Sequence, residues 1–368
     1  MPENASLSLT SPTKAEVDAP PPSVLTMGDP AGIGPELTLI AFARRHARGL
    51  QPFAVYADPD MLAVRAAALG LDVAIKSITD PTKARDAFAA ALPVIPVALA
   101  RPSVPGEPDP ENARAVIASI EAAVAAVQAE HASAVVTNPI AKSVLYAAGF
   151  SHPGHTEFLA HLADHGSPGA APTHPVMMLA SQELRVVPVT IHIPLADVPA
   201  ALSRELIVKT VGITAEALQR YFGIASPRLR VTGLNPHAGE SGSIGGEDEA
   251  IIAPAIAELR GLGIDATGPA PADTMFHAAA RATYDAAIAM YHDQALIPIK
   301  TLAFDRGVNV TLGLPFVRTS PDHGTAFDIA GQGRASPESL IAAIELADSM
   351  TAAEAARRAI TATTRGNL

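Results

Sequence analysis

Three histidines, three cations and three acids in this chain stand where chemistry could be done. His192, His237 and His292 each fall at or just past the expected carboxyl end of a different β-strand. Neutral imidazole is the commonest nitrogen ligand for zinc, and three protein ligands with an open position define a catalytic metal centre. Any one of the three, taken alone, reads equally well as an ordinary structural histidine. The set carries the signal, because three of the chain's twelve histidines share one topological position. None of the three belongs to an H-x-x-x-H spacing. Lys142, Lys300 and Arg318 are cations near the same strand ends, suited to a phosphate or carboxylate, with Arg offering a bidentate fork. A solvated surface cation is the bland alternative. Lys300 resists it mildly, since it follows the apolar run Leu296-Ile297-Pro298-Ile299. Asp273, Asp293 and Glu157 are candidate proton-transfer groups, each of which could instead be a cap or an ion-pair partner. No G-x-S-x-G elbow, Walker loop or H-E-x-x-H occurs.

Much of this set lies in one stretch, residues 286–333. The apolar run Ala286 to Tyr291 reads as a buried strand ending at His292 and Asp293. Lys300, Asn309 and Arg318 follow on segments with strand and loop character. The small-residue turn His323-Gly324-Thr325-Ala326 closes it and cannot be a helix interior. This grouping points to a site for an anionic ligand.

The elements that must hold these groups alternate between strand and helix. Val24-Leu25-Thr26, Phe53 to Ala57, Leu92 to Val97, Ala134 to Val136 and Leu229 to Leu234 read as strands. Helices are expected with Pro35 in the first turn and running on through Leu37 to Ala47, then from Asp60 to Ala68, Glu111 to Glu130 and Glu247 to Arg260, with another starting near Met275. Val176 to Ala180 and Arg185 to Ile193 suggest an antiparallel hairpin. Gly268 to Thr274 reads as a loop. The alternation predicts an α/β fold with a mostly parallel sheet covered on both faces. In such sheets ligands sit beyond the carboxyl ends of strands. The loop Gly28 to Glu36 fails as a dinucleotide fingerprint: Gly32-Ile33-Gly34 is followed by Leu37 where a third glycine should stand. It reads as a tight strand-to-helix turn at the edge of a site, with Glu36 complementing the positive helix end.

Composition sets outer limits. The 368 residues allow two ordinary domains. Hydrophobic residues at 48% and charged ones at 17% describe a globular chain, and aromatics at 4% leave its core to aliphatic side chains. The net charge of -11 argues against nucleic acid and anionic membrane as partners. The absence of cysteine removes disulfides, thiolate metal sites and a cysteine nucleophile. Residues 1–22 read as a disordered tail, not a signal peptide, and no apolar stretch reaches the roughly 20 residues of a membrane span. The cytoplasm is the expected compartment.

A set of longer motifs adds a family resemblance. TMGDPAGIGPEL, TNPIAK, PGHTEFLA, NPHAGE, GPAPADTMF, YHDQALIPIK and TSPDHGTAFDIAGQG closely resemble the 4-hydroxythreonine-4-phosphate dehydrogenase family of vitamin B6 biosynthesis, over nearly the whole chain after Ser23. The resemblance implies an isocitrate/isopropylmalate dehydrogenase-like fold of two α/β/α domains with the site in the cleft between them. The expected division is 23–135 plus 300–368 on the cofactor side and 136–299 on the metal, substrate and dimer side. It implies that His192, His237 and His292 hold a divalent metal, usually zinc, with magnesium or cobalt as alternatives. His155, Thr156, Lys300, Asn309 and Arg318 match substrate contacts. His323, Gly324, Thr325, Ala326 and Asp328 match a segment that binds NAD or NADP without a Rossmann loop. Asp273, then Lys300, are the expected proton-transfer groups. A homodimer with its site at the interface is implied, with His292 expected to be the ligand donated across it. The implied reaction is oxidation of 4-(phosphooxy)-L-threonine followed by decarboxylation. A dehydrogenase for threonate or erythronate 4-phosphate, or a metal-dependent hydrolase or lyase without nicotinamide, stays open beside it.

Overall fold

The computed structural model describes residues 20–150, 152, 154–165 and 173–366. Apart from residues 20–22, the expected tail lies outside the described residues. Twelve strands form one sheet: β1 Ser23–Thr26, β2 Phe53–Ala57, β3 Ile75–Ser77, β4 Leu92–Pro96, β5 Ala134–Val136, β6 Val176–Ala180, β7 Arg185–Pro188, β8 Arg228–Thr232, β9 Asp265–Ala270, β10 Ala286–Ala289, β11 Val308–Leu312 and β12 Val317–Pro321. Their order is β3-β4-β2-β1-β5-β12-β11-β6-β7-β10-β8-β9. The six strands from β3 to β12 run parallel, as do β7, β10, β8 and β9. Three antiparallel pairings, β12 with β11, β11 with β6 and β6 with β7, join the two parallel blocks and reverse the strand direction between them. The α/β class with a mostly parallel sheet is therefore as expected.

The helices that build the core and site are α1 Gly34–Ala43, α2 Pro59–Ala68, α3 Ala113–Gln128, α4 Lys142–Ala147, α5 His155–His165, α6 Arg204–Tyr221, α7 Ala253–Gly261, α8 His292–Ala303 and α9 Glu338–Gly366. Strand residues alternate between two cores. Leu25, Phe53, Val55 and Val136 pack with α1 and α9 through Leu37, Phe42, Leu340, Ile341 and Ile344. Val24, Ala54, Tyr56 and Val135 pack with α3 through Val116, Ile120, Ala123 and Val124. Burial on both faces explains why these strands read as unbroken apolar runs. What few aromatics there are cluster: Phe42, Phe53 and Phe88 meet edge to face at centroid distances of 4.9 to 6.5 Å.

Several expected boundaries move. The first helix has Pro35 in its first turn as expected but ends at Ala43, four residues short of Ala47. The stretch Gly268 to Thr274 is not all loop: β9 runs through Ala270. It is an edge strand, where a proline costs no ladder bond. Strand β7 stops at Pro188, so His192 lies in a connection beyond it. Lys300 is on helix α8, not on a strand or loop, although Pro298 sits inside that helix. The long helix α9 and the short, largely exposed edge strand β3 have no counterpart in the sequence expectations.

Helix α9 is tied to the first strand by Ser23 Oγ, which donates to Asp348 Oδ1 at 2.8 Å. Burial pushes the Asp348 carboxyl up from 3.8 to about 6, with the Ser23 bond opposing the rise. A folded-state value above the unfolded one stabilises the fold at pH below 3.8 and is lost as pH rises through about 6. Asp348→Asn keeps an acceptor for Ser23 and cannot ionise. Its Tm should therefore exceed wild type at pH 8, and the difference should shrink as pH falls through about 6 and disappear only below 3.8; thermal melts across that range check this.

Candidate active site

Strands β7, β8 and β10 are mutually parallel, so their carboxyl ends share one edge of the sheet. His192, His237 and His292 follow those three ends. The rings of His192 and His292 lie 5.6 Å apart between centroids. His292 opens α8, and its Nδ1 is 2.7 Å from Asp293 Oδ1. Donation from Nδ1 to that carboxylate leaves Nε2 as the free ligand atom, the orientation found in carboxylate–histidine–metal sites. Asp293 thus orients His292. Burial, then the His292 and Lys142 charges, holds His192 below its ordinary imidazole value, against the pull of Glu157.

His237 stands apart from that pair. It is exposed, on a turn where His237, Ala238, Gly239, Glu240 and Ser241 all have positive φ. Such a run is costly for non-glycine residues and persists only where its surroundings impose it. Buried Asp248 anchors the residues that lead into it. Its carboxylate accepts from Leu234 N at 2.8 Å, Asn235 N at 3.2 Å and Asn235 Nδ2 at 2.9 Å. A Cβ at Gly233 would sit 2.5 Å from Asp248 Oδ1, so this close approach needs glycine. Among the described residues no three histidine or acidic side chains surround one point.

A second group centres on Arg318, which is 4% exposed. Nη1 donates to Thr311 Oγ1 at 2.9 Å and Nη2 to Thr137 Oγ1 at 2.6 Å. Its Nε is buried with no partner. Burial lowers the guanidinium to about 10, so it stays charged at neutral pH without a carboxylate in hydrogen-bond contact. The antiparallel register of β11 with β12 sets Asn309 opposite Ser320, and strand alternation puts Asn309 on the same face as Thr311. His155 begins α5, followed by Thr156. Its Nε2 is buried and unpartnered. Burial, with Arg318 and Lys142 nearby, holds His155 well below its ordinary value, so its ring is neutral at pH 7. Lys142 and Glu157 meet over Gly154, where a Cβ would lie 3.1 Å from Lys142 Nζ and 2.6 Å from Glu157 Oε2. These charges also act on His192, so the two groups adjoin.

A third group lies at the end of β12. Lys300 Nζ pairs with Asp322 Oδ2 at 3.0 Å. His323 Nδ1 donates to Gly324 O at 3.0 Å, and its Nε2 is buried without a partner. Ile33 N donates to Thr325 O at 2.9 Å, which docks the Gly28–Glu36 loop on this turn. Ala326 has a φ of 43° and starts a short turn through Asp328. Asp273 is exposed in a turn near the Pro236–Glu240 segment, and no hydrogen bond or ion pair joins it to the histidines. A cavity of about 540 Å³ lined by Arg185, Phe222, Phe304 and Arg306 includes none of these groups.

Sequence reasoning missed the polar side chains that hold the strand ends. Gln294 Oε1 accepts from Thr232 Oγ1 and Met290 N, both at 2.7 Å, while its Nε2 donates to Gly233 O at 2.8 Å. It splices the end of β8 to that of β10. Asp248 and Thr311 were missed as well: their partners lie 13 to 14 and seven residues away, on a different turn or strand that meets them only when the chain folds. His161 and His165, an H-x-x-x-H pair on α5, also went unremarked; their rings are 4.0 Å apart, and His152 is 4.6 Å from His161. Gln294→Leu leaves Met290 N–H and Gly233 C=O unpaired and should cost about 2 to 4 kcal/mol, read from urea unfolding.

Comparison with known proteins gives this architecture a family. Residues 49–347 match the family described as "Pyridoxal phosphate biosynthetic protein PdxA". A 4-hydroxythreonine-4-phosphate dehydrogenase from Xanthobacter autotrophicus is 58% identical over 92% of this chain and 95% of its own length. The crystal structure of a 4-hydroxythreonine-4-phosphate dehydrogenase from Klebsiella pneumoniae superposes with a TM-score of 0.80 at 37% identity, covering 90% of this chain and 99% of that one. A terephthalate 1,2-cis-dihydrodiol dehydrogenase from Burkholderia xenovorans is more distant, with a TM-score of 0.61 at 30% identity over 89% of this chain and 98% of that one. With the three strand-end groups and these likenesses together, the chain belongs to the PdxA family of dehydrogenases.

Proposed function

We propose that the chain oxidises the C3 hydroxyl of 4-(phosphooxy)-L-threonine, with NAD or NADP as acceptor and a divalent metal in the site. The product, 2-amino-3-oxo-4-(phosphooxy)butanoate, loses CO2 to give 3-amino-2-oxopropyl phosphate, in pyridoxine 5'-phosphate synthesis. The observation that carries this reading is Arg318: a buried guanidinium, aimed by two threonines, with Nε unpartnered and no carboxylate against it. Such a group calls for an anionic ligand.

His192 and His292 suit the metal, since their rings adjoin and Asp293 leaves His292 Nε2 free to coordinate. The orphaned His323 Nε2 suits a polar group of the cofactor beside Gly324, Thr325, Ala326 and Asp328. When bound, the metal lowers the pKa of the reacting hydroxyl and the nicotinamide accepts the hydride. Arg318, Asn309 and Lys300 hold the anionic groups of the substrate. His155, kept neutral by its surroundings, donates or accepts a hydrogen bond without adding charge. Thr156, the next residue of the same helix turn, is the further proposed substrate contact. Asp273 and Lys300 remain the proposed proton-transfer groups; Lys300 already has a carboxylate partner in Asp322. Asp273 has no hydrogen bond or ion pair to the histidines.

The site is completed in a homodimer. Because His192 and His292 touch within one chain, His237 is a better candidate than His292 for the donated ligand. His237→Ala should abolish turnover while leaving the thermal melt unchanged. Mixing His237→Ala with His192→Ala subunits should restore roughly a quarter to a half of activity, because one site per mixed dimer is intact. No recovery there, with recovery from His292→Ala plus His192→Ala, would return the crossing role to His292.

Threonate and erythronate 4-phosphate carry a C2 hydroxyl where the proposed substrate has its amine, and differ from each other in configuration. The rate of NADH or NADPH formation with added metal should be at least about tenfold higher with 4-(phosphooxy)-L-threonine, the value of one lost polar contact. Equal or faster turnover of the non-aminated acids would reassign the substrate, and no reduced nicotinamide with any of the three would favour a hydrolase or lyase.

A further inference from the structure

Glu36 is 0% exposed and lies on α1, directly after the Gly28–Pro35 loop. Its Oε2 accepts from the Gly331 amide at 2.6 Å, across 295 residues of chain, and its Oε1 is buried with no partner. A first-turn carboxylate that only complemented the helix end would face solvent. Arg65, 3% exposed, lies beside it and donates to Pro30 O at 3.0 Å and Gly32 O at 3.2 Å. The loop is thus braced from behind by one buried cation, while Glu36 reaches past it to the 323–333 segment.

That segment is gripped at three points. Thr325 O accepts from Ile33 N at 2.9 Å, and a Cβ at Gly32 would sit 3.0 Å from the same oxygen. Gly106 donates to Ala31 O at 2.8 Å, and its own missing Cβ would meet Phe327 O at 2.9 Å. Gly331 has a φ of 75° and would strike Pro105 if it carried a side chain. The first two grips act before Gly331. Glu36 is the side chain that fixes the segment at its far end.

We propose that Glu36 is a positioning residue for the nicotinamide cofactor, acting through the Gly331 amide to hold the His323–Gly331 segment in its binding shape. The inference rests on the reading of that segment as the cofactor site. Glu36 does not touch the reacting atoms. It sets the path of the backbone that carries His323, Gly324, Thr325, Ala326 and Asp328.

The test compares wild type, Glu36→Ala and Glu36→Gln in two measurements. NADH and NADPH binding is followed by fluorescence titration without substrate, and amide exchange is followed over residues 325–335. A lost hydrogen bond to a charged group predicts that Glu36→Ala weakens cofactor binding by about tenfold or more and speeds exchange at Gly331 by a similar factor. Glu36→Gln retains a carbonyl acceptor for Gly331 and should stay within about threefold of wild type in both. KM for the phosphorylated substrate should move less than about twofold in either variant, which a general loss of structure would not allow. Unchanged exchange at Gly331 in Glu36→Ala overturns the strut. Cofactor binding by Glu36→Ala at wild-type strength overturns the positioning role, as does a Glu36→Gln as weak as the alanine variant. A wild type that binds neither nucleotide overturns the dehydrogenase reading, and the cofactor role with it.

Discussion

A guanidinium buried without a carboxylate is expensive, and Arg318 is held in that state. Taking a charge out of water costs several kcal/mol unless partners replace the lost solvation. Here the replacements are two neutral hydroxyls, Thr311 and Thr137, which aim the cation but do not neutralise it. They come from β11 and from the residue after β5, the two strands on either side of β12. The join between the two parallel blocks of the sheet is therefore also where the anion-seeking group is made. The charge explains the neighbours as well. Added to burial, it and Lys142 make protonation of His155 unfavourable, so the first residue of α5 is a neutral imidazole.

The remaining polar groups of the interior splice the loops to the sheet. Gln294 ties β8 to β10, Asp248 anchors the residues before the turn that carries His237, and Glu36 reaches from α1 to Gly331. Asn138 does the same for β1 and α1, donating to Thr26 O and Thr38 Oγ1 at 2.9 Å. Each of these buried groups satisfies backbone or side-chain atoms that burial would otherwise leave unpaired. A parallel sheet covered on both faces has no other place for polar chemistry than its strand ends, and there every loop has to be held from inside.

The class of fold was legible because it depends on local pattern. Apolar runs such as Phe53 to Ala57 and Ala134 to Val136, separated by helical periodicity, allow few arrangements other than a covered parallel sheet. Edges were harder. Proline in Gly268-Pro269-Ala270 argues against a central strand but is tolerated in β9 at the sheet margin, and margin position is not a local property. Lys300 was misplaced because Leu296 to Ile299 reads as an apolar strand, while Pro298 masks a helix that begins at His292.

The residue types at the site came from the sequence by itself: the histidines past β7, β8 and β10, the cations at 142, 300 and 318, and the small-residue turn at 323–326. Their chemistry is intrinsic to the side chains, and their motifs are long enough to identify a family. Tertiary structure decided which of them act together. It set His192 against His292 and left His237 outside that contact, turned Asp293 into an orienting partner, and put the turn of Asp273 next to the one that carries His237. It also revealed Thr311, Asp248, Gln294 and Glu36 as the groups that aim the rest. Burial and contact between residues distant in the chain determine those roles, and both exist only once the chain has folded.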